Sequence, residues 1–305
     1  MRADTLSDPG GSALLAAPVL LATDGTEDSL GALAVGALLA RRRGAKIRPL
    51  TVLEPSVFPD ADGGPAPTLS SPSFAQGAVE RRACDAVALQ VAAFLGSGAA
   101  RDVTFCRGRV VPTISAEART TGAGLIVVGL HPHDLFDRIA GEETALRVAR
   151  TAELPLLAVT PTLDRLPRRC IVGVDFSSGC VRAARETLAL LDDDATLVLA
   201  HVRPPVAERD RERSGQSYQV GVGDALARLQ RSLPSRSRLT VEAVTLEGET
   251  APQLLAMAER SGADLIAIGC HRHSFVGRLV LGSVVTTLIR AASVSLFVMP
   301  PVAAD

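Results

Sequence analysis

Short apolar runs recur along the chain, separated by stretches in which apolar positions return every three or four residues. The runs Val19 to Thr23, Ile47 to Leu53, Val103 to Cys106, Leu125 to Val128 and Leu156 to Val159 have lost the alternation of a half-exposed strand. That is the pattern of strands covered on both faces in a parallel sheet. Between them Ser29 to Arg43, Ala78 to Leu95, Thr113 to Thr120 and Glu142 to Thr151 carry helical periodicity. Asp28 or Ser29 stands near the first helix cap, and Gly44 is its stop. Residues 55–73, dense in proline, serine and glycine, predict a long loop.

The same order then returns. Ile171 to Val174, Thr196 to Val202, Leu239 to Leu246, Leu265 to Gly269 and Leu296 to Met299 read as strands. Cys180 to Leu191, Asp224 to Ser232, Ala251 to Ser261 (stopped by Gly262) and the segment VVTTLIRAAS at 284–293 read as helices. The charged stretch Glu208 to Arg213 reads as a solvated loop or a helix start. Strands alternating with helices predict two α/β domains, each a doubly wound, Rossmann-like parallel sheet. Such sheets bind ligands at the carboxyl ends of their strands, where the strand order reverses.

Sliding the chain against itself makes the duplication explicit. Gly108, Pro112, Gly122, Leu125, Ile126, Gly129, His131, His133 and Arg138 recur 140 positions later as Gly248, Pro252, Gly262, Leu265, Ile266, Gly269, His271, His273 and Arg278. Asp24 corresponds to Asp175 and Val52 to Val202 at slightly larger offsets. The boundaries that follow are a loose tail at 1–16, a first domain at 17–161, a linker at 162–168 and a second domain at 169–301.

The chemistry concentrates in Ala263 to Ser283, ADLIAIGCHRHSFVGRLVLGS. A strand ends there at Gly269, polar residues follow, and Gly282-Ser283 opens an amphipathic helix. Glycine at a strand end admits close backbone approach. A Gly-Ser helix start offers unpaired N–H groups, a hydroxyl and the positive end of the helix dipole. Together these features suit phosphate.

Gly269, two residues, Arg272, nine residues and Gly282-Ser283 resemble the nucleotide motif of the universal stress proteins, in which a second glycine stands where this chain has Arg272. Arg278, four residues before the pair, matches a position where the family often has arginine. The resemblance implies a tandem universal stress protein, an internal pseudo-dimer joined through the fifth strand of each half. It implies binding of ATP, with Mg²⁺ accompanying the nucleotide, in a stress-response role without turnover. Asp175 would hold the nucleoside and Val202 would line the adenine. Gly269, His271, Arg272, Arg278, Gly282 and Ser283 would surround the phosphates. Arg272 has two opposed effects: a cation for phosphate, and a side chain where the family glycine permits positive φ. In the first half, Glu142-Glu143 occupies the register of Gly282-Ser283. Carboxylates there repel phosphate, so the second half alone is expected to bind nucleotide. The alternatives left open are a nucleotide-free interaction module and a slow ATPase.

Composition narrows the partners. The net charge is −1 and aromatic residues make up 3%. Neither a basic face nor a base-stacking platform points to nucleic acid, and no anionic membrane is implied. No run of 18 apolar residues exists, so no membrane span is expected. Five cysteines without a Cys-x-x-Cys pattern read as reduced thiols of a cytoplasmic protein. The pairs His131/His133 and His271/His273 have a spacing that can share a metal. No further ligand in register completes such a set in both halves, so no metal is assigned. Nothing resembles an activated nucleophile, so the chain reads as a non-enzyme. The sequence leaves open whether two chains pair into a further homodimer.

Overall fold

The structure is a computed structural model that describes residues 13–54, 74–130, 144–151, 153–204, 208–270 and 282–301. The strands are β1 Val19–Ala22, β2 Ile47–Leu53, β3 Thr104–Arg107, β4 Leu125–Gly129, β5 Leu156–Val159, β6 Arg169–Gly173, β7 Thr196–Arg203, β8 Thr240–Glu247, β9 Leu265–Gly269 and β10 Ser295–Met299. The helices are α1 Ala13–Ala16, α2 Leu30–Arg43, α3 Phe74–Leu95, α4 Ser97–Arg101, α5 Val110–Thr120, α6 Thr144–Thr151, α7 Ser178–Thr187, α8 Glu208–Ser232, α9 Thr250–Ser261 and α10 Ser283–Ala291.

All ten strands lie in one sheet, in the order β3-β2-β1-β4-β5-β10-β9-β6-β7-β8. Within each half every neighbouring pair is parallel. The halves meet through β5 and β10, which pair antiparallel with Phe297 opposite Leu157. This is the internal pseudo-dimer that the resemblance implied. Because the seam is antiparallel, the carboxyl ends of β1–β5 and of β6–β10 face opposite edges of the sheet.

The pleat sorts the buried residues into two cores. Val19, Leu21, Val127, Leu157, Phe297 and Met299 point to the face covered by α2, α3, α7 and α8. Leu20, Ile126, Val128, Leu156, Ile266, Leu296 and Val298 point to the face covered by α5, α6, α9 and α10. Each core runs through both halves. Central strands β4, β5, β9 and β10 are buried almost throughout, which explains their unbroken apolar runs, whereas edge strand β8 is largely open.

The helix stops are the ones the glycines announced. Gly44 at φ 68 closes α2 and Gly262 at φ 61 closes α9, both left-handed. The charged stretch from Glu208 is helical, as the first part of α8. Two expectations change. Residues 13–16 are not loose: they form the short helix α1, with Leu14 buried and its N–H donating to Glu186 Oε2 at 3.3 Å in the other half. The segment read as a linker is docked rather than free. Leu163 and Leu166 enter the core, and Asp264 accepts from the backbone N–H of Arg168 at 2.7 Å and from Arg165 Nη2 at 2.7 Å. The long loop expected at 55–73 lies outside the described residues.

Polar ties close the seam on the α2/α7 face. Asp192, its side chain 9% exposed, accepts from Arg42 Nη1 of the first half at 2.6 Å and from Arg168 Nε at 3.3 Å. Burial alone would raise the Asp192 carboxyl. Donation from the Asp193 N–H and the two guanidiniums outweighs that and holds it below the ordinary carboxylate value. A depressed carboxyl contributes stability that is complete above its unfolded pKa and is lost as pH falls through the folded one. The contribution should therefore fade below about pH 4. Asp192→Asn should cost about 1–2 kcal/mol at neutral pH, between an exposed pair and a fully charged hydrogen bond, and flatten the acid limb. Urea unfolding at pH 7 and pH 3 measures both; equal stability of variant and parent at pH 7 would contradict this role. At the seam itself, Phe297→Ala removes a side chain with 0% exposure and should cost about 3–5 kcal/mol in the same assay.

Candidate functional site

In each half the strand order reverses between the first and fourth strands, β1 and β4 or β6 and β9. In the second half Asp175 follows β6, Val202 lies near the end of β7 and Gly269 ends β9. β7, β6 and β9 are consecutive neighbours, so these three expected residues share one carboxyl edge. Val202 is half-buried against the α9/α10 core, on the side where α10 begins. Gly282 is the N-cap of α10, with φ −60 and ψ 154, and Ser283 is its exposed first residue. His271, Arg272 and Arg278 lie outside the described residues, as do His131, His133 and the pair Glu142-Glu143.

Asp175 is not the cap of the following helix. That role belongs to Ser177, whose Oγ accepts from Cys180 N at 3.1 Å. Asp175 stands one step earlier and accepts from Ser177 N at 3.0 Å, a tight turn that keeps the carboxylate at the strand end.

The two glycines of the motif do different jobs. A Cβ on Gly269 would overlap the backbone of Gly179 and Cys180, so this glycine lets β9 lie against the start of α7. Gly129 has the same task in the first half, where a Cβ would meet Asp28 O at 2.5 Å. Gly269 thus has a packing role, backbone on backbone, beside its reading as a place for ligand approach. A Cβ on Gly282, by contrast, would meet nothing within 4 Å. No described residue lies over that position at the first turn of α10.

Two residues of this region were not anticipated. Phe176 follows Asp175 at φ 63, a left-handed conformation costly for a non-glycine residue, and packs on His201 with ring centroids 4.9 Å apart. His201 Nδ1 donates to Val174 O at 2.8 Å, which fixes its tautomer. In the first half Gly25 takes the left-handed position, and Thr51 Oγ1 donates to Thr23 O at 2.9 Å. The same strand-end tie is made by different chemistry, and aligning the first βαβ units of the halves was the signal that could have found it.

The corresponding crevice of the first half holds a cavity of about 330 Å³. β1, β2 and β4 supply Ala22, Leu50, Val52 and Val128, α5 supplies Val110 and Ile114, and Thr144 and Ala145 come from the start of α6. Thr23, Asp24, Asp28, Ser29 and Gly129 complete the described lining. Asp24 Oδ1 accepts from Thr26 N at 2.9 Å, Thr26 Oγ1 at 2.7 Å and Ser29 Oγ at 2.7 Å. Burial pulls the Asp24 carboxyl upward, but these donors prevail and hold it below the ordinary value.

Among the described residues no group of three or more His, Cys, Asp or Glu could hold a metal. All five cysteines are free thiols. Burial pushes Cys270 up to about 11, so it behaves as a small core residue rather than a reactive thiolate. No described helix is long and apolar enough to cross a membrane.

The sequence model of the universal stress protein family matches residues 17–160 and 167–300. The chain belongs to that family and carries two of its domains in tandem. No curated protein matches it. Among solved structures, a universal stress protein from Archaeoglobus fulgidus DSM 4304 is similar in fold, with a TM-score of 0.62 at 19% identity over 93% of this chain and 98% of that one. A putative universal stress protein from Pseudomonas aeruginosa UCBPP-PA14 gives 0.60 at 17% identity over 95% of each chain.

The glycine geometry separates packing from binding. Gly269→Ala should cost about 1–3 kcal/mol or more through overpacking, whereas Gly282→Ala should change stability by no more than about 0.5 kcal/mol. Thermal unfolding of both variants measures the contrast; a stable Gly269→Ala chain would contradict the backbone contact.

Proposed function

We propose that this stress-response family member is a nucleotide-binding regulator whose second half holds ATP, with Mg²⁺ accompanying the triphosphate. The observation that carries the reading is the first turn of α10 at Gly282, where an added Cβ would meet no described residue within 4 Å, on the side of the sheet where Val202 faces and beside the edge shared by Asp175 and Gly269. Unpaired N–H groups and the dipole of α10 favour phosphate there. Asp175 would hold the nucleoside, and Val202 offers the adenine an apolar wall and backbone groups. The motif residues His271, Arg272 and Arg278 belong to the stretch between β9 and α10 and complete the phosphate side of the reading.

The first half is expected not to take a triphosphate. Asp28 stands where the second half has Gly179, since each lies against the glycine that ends its fourth strand. A carboxylate about 5 Å from a phosphate charge, at an effective dielectric near 20, costs roughly 3 kcal/mol, about a hundredfold in affinity. The function proposed is regulation through occupancy rather than turnover; phosphate release on incubation with ATP would overturn that part of the reading.

Titration calorimetry on the full chain should give one ATP per chain. Gly282→Glu should abolish binding without unfolding the protein, because a side chain there meets no described residue within 4 Å. Two equivalent sites, or binding that survives Gly282→Glu, would overturn the assignment. Absence of any nucleotide binding would leave the interaction-module reading in its place.

A further inference from the structure

We infer that the first half carries a second pocket, at the amino ends of its strands, for a free α-amino acid with an uncharged polar side chain. The pocket has a volume of about 360 Å³ and lies between the end of α5, the start of β4 and the residues before β5. It is at the opposite end of β4 from the crevice beside Asp24. Its volume falls within the range of small-molecule sites.

Three polar side chains line it. Ser115 of α5 is 8% exposed, and its Oγ is buried with no hydrogen-bond partner among the described residues. A buried hydroxyl without a partner is costly, and native structures seldom keep one. Because Ser115 lines the pocket, a change of its χ1 rotamer brings the hydroxyl to a group seated there. Arg119, one turn further along α5, and Glu153, before β5, are both exposed. Among the described residues neither makes an ion pair, with the other or with any third group.

The repeat shows that the fold does not require these groups. At the constant offset of 140, Leu255 stands for Ser115, Glu259 for Arg119 and Ser293 for Glu153. The apolar wall of Ala118, Ile126 and Leu154 is kept as Ala258, Ile266 and Val294. Leu255 packs on the core of its half, whereas serine at this helix position leaves room. One half has therefore changed the polar groups of the pocket and kept its wall.

Two opposite charges that do not neutralise each other suit a ligand that carries both. The carboxylate of an α-amino acid meets the Arg119 guanidinium in charge-assisted hydrogen bonds. Its ammonium meets Glu153 and the carboxyl end of α5, where the helix dipole favours positive charge. The methylenes of its side chain cover Ala118, Ile126 and Leu154. An amide at the tip gives Ser115 its partner, since a hydroxyl both donates and accepts. No other charged residue is in the described lining, so a charged tip would be buried without compensation.

The test is calorimetric titration of the full chain with L-glutamine. It should bind once per chain. L-glutaminamide, which lacks the carboxylate, N-acetyl-L-glutamine, which lacks the ammonium, and L-leucine, which lacks the polar tip, should each bind about tenfold or more weakly. Ser115→Leu, which fills the pocket with the residue of the other half, should remove binding. Arg119→Gln should weaken it about tenfold or more. Circular dichroism checks the fold of each variant; Arg119 is exposed, so Arg119→Gln keeps the test decisive even where Ser115→Leu does not fold. Absence of L-glutamine binding, equal binding of any of the three analogues, or insensitivity to Arg119→Gln or to a folded Ser115→Leu would each overturn the inference. The titrations are run without nucleotide, so a chain that binds no ATP leaves this test intact.

Discussion

The pairing of β5 with β10 is the contact on which the architecture depends. Each half alone is a five-stranded parallel sheet whose fifth strand is an apolar edge, and such an edge is open to pairing with another chain. Here the two edges consume each other within one chain, and both cores pass across the join. Beyond the ladder the seam is extended by Thr160, whose N–H donates to the buried Ser295 Oγ at 3.1 Å. On the α2/α7 face Arg42 and Arg43 reach across to Asp192 and Asp193, both at 2.6 Å. The linker is accordingly short and docked: the halves are already held, and it only has to follow them.

The same pairing fixes the placement of the two crevices. An antiparallel join reverses strand direction, so what one half presents upward the other presents downward. The described lining of the first-half cavity comes from its own half, from the ends of β1, β2 and β4 and from α5 and α6. That lining takes nothing from the other half, yet neither half has a covered edge without its partner. Stability is shared and recognition is local.

Much of this was legible in the residues. Unbroken apolar runs in β4, β5, β9 and β10 marked the buried centre of a parallel sheet, and Gly44 and Gly262 marked helix ends by the one conformation they adopt cheaply. What the sequence hid was close range. Gly269 reads as a ligand contact because glycine at a strand end suits close approach; that it also packs on Gly179 and Cys180 is seen only from their proximity. Asp175 reads equally as a helix cap or a site residue until Ser177 is seen to hold the cap. The cavity beside Asp24 was illegible because its walls come from five segments far apart in the sequence. Phe176 and His201 were missed because the eye follows identities between the repeats, and here the repeats differ.

Joining the two domains covalently changes what a mutation means. In a dimer of identical chains every substitution appears twice, and a change useful at one crevice is imposed on the other. In this chain one crevice has Asp28 where the other has Gly179, and Phe176 takes a left-handed backbone where the other half has Gly25. The fused seam has therefore uncoupled the inheritance of the two sites while leaving their folding coupled. Each half is free to drift in sequence, constrained only by the strand it must offer to its neighbour.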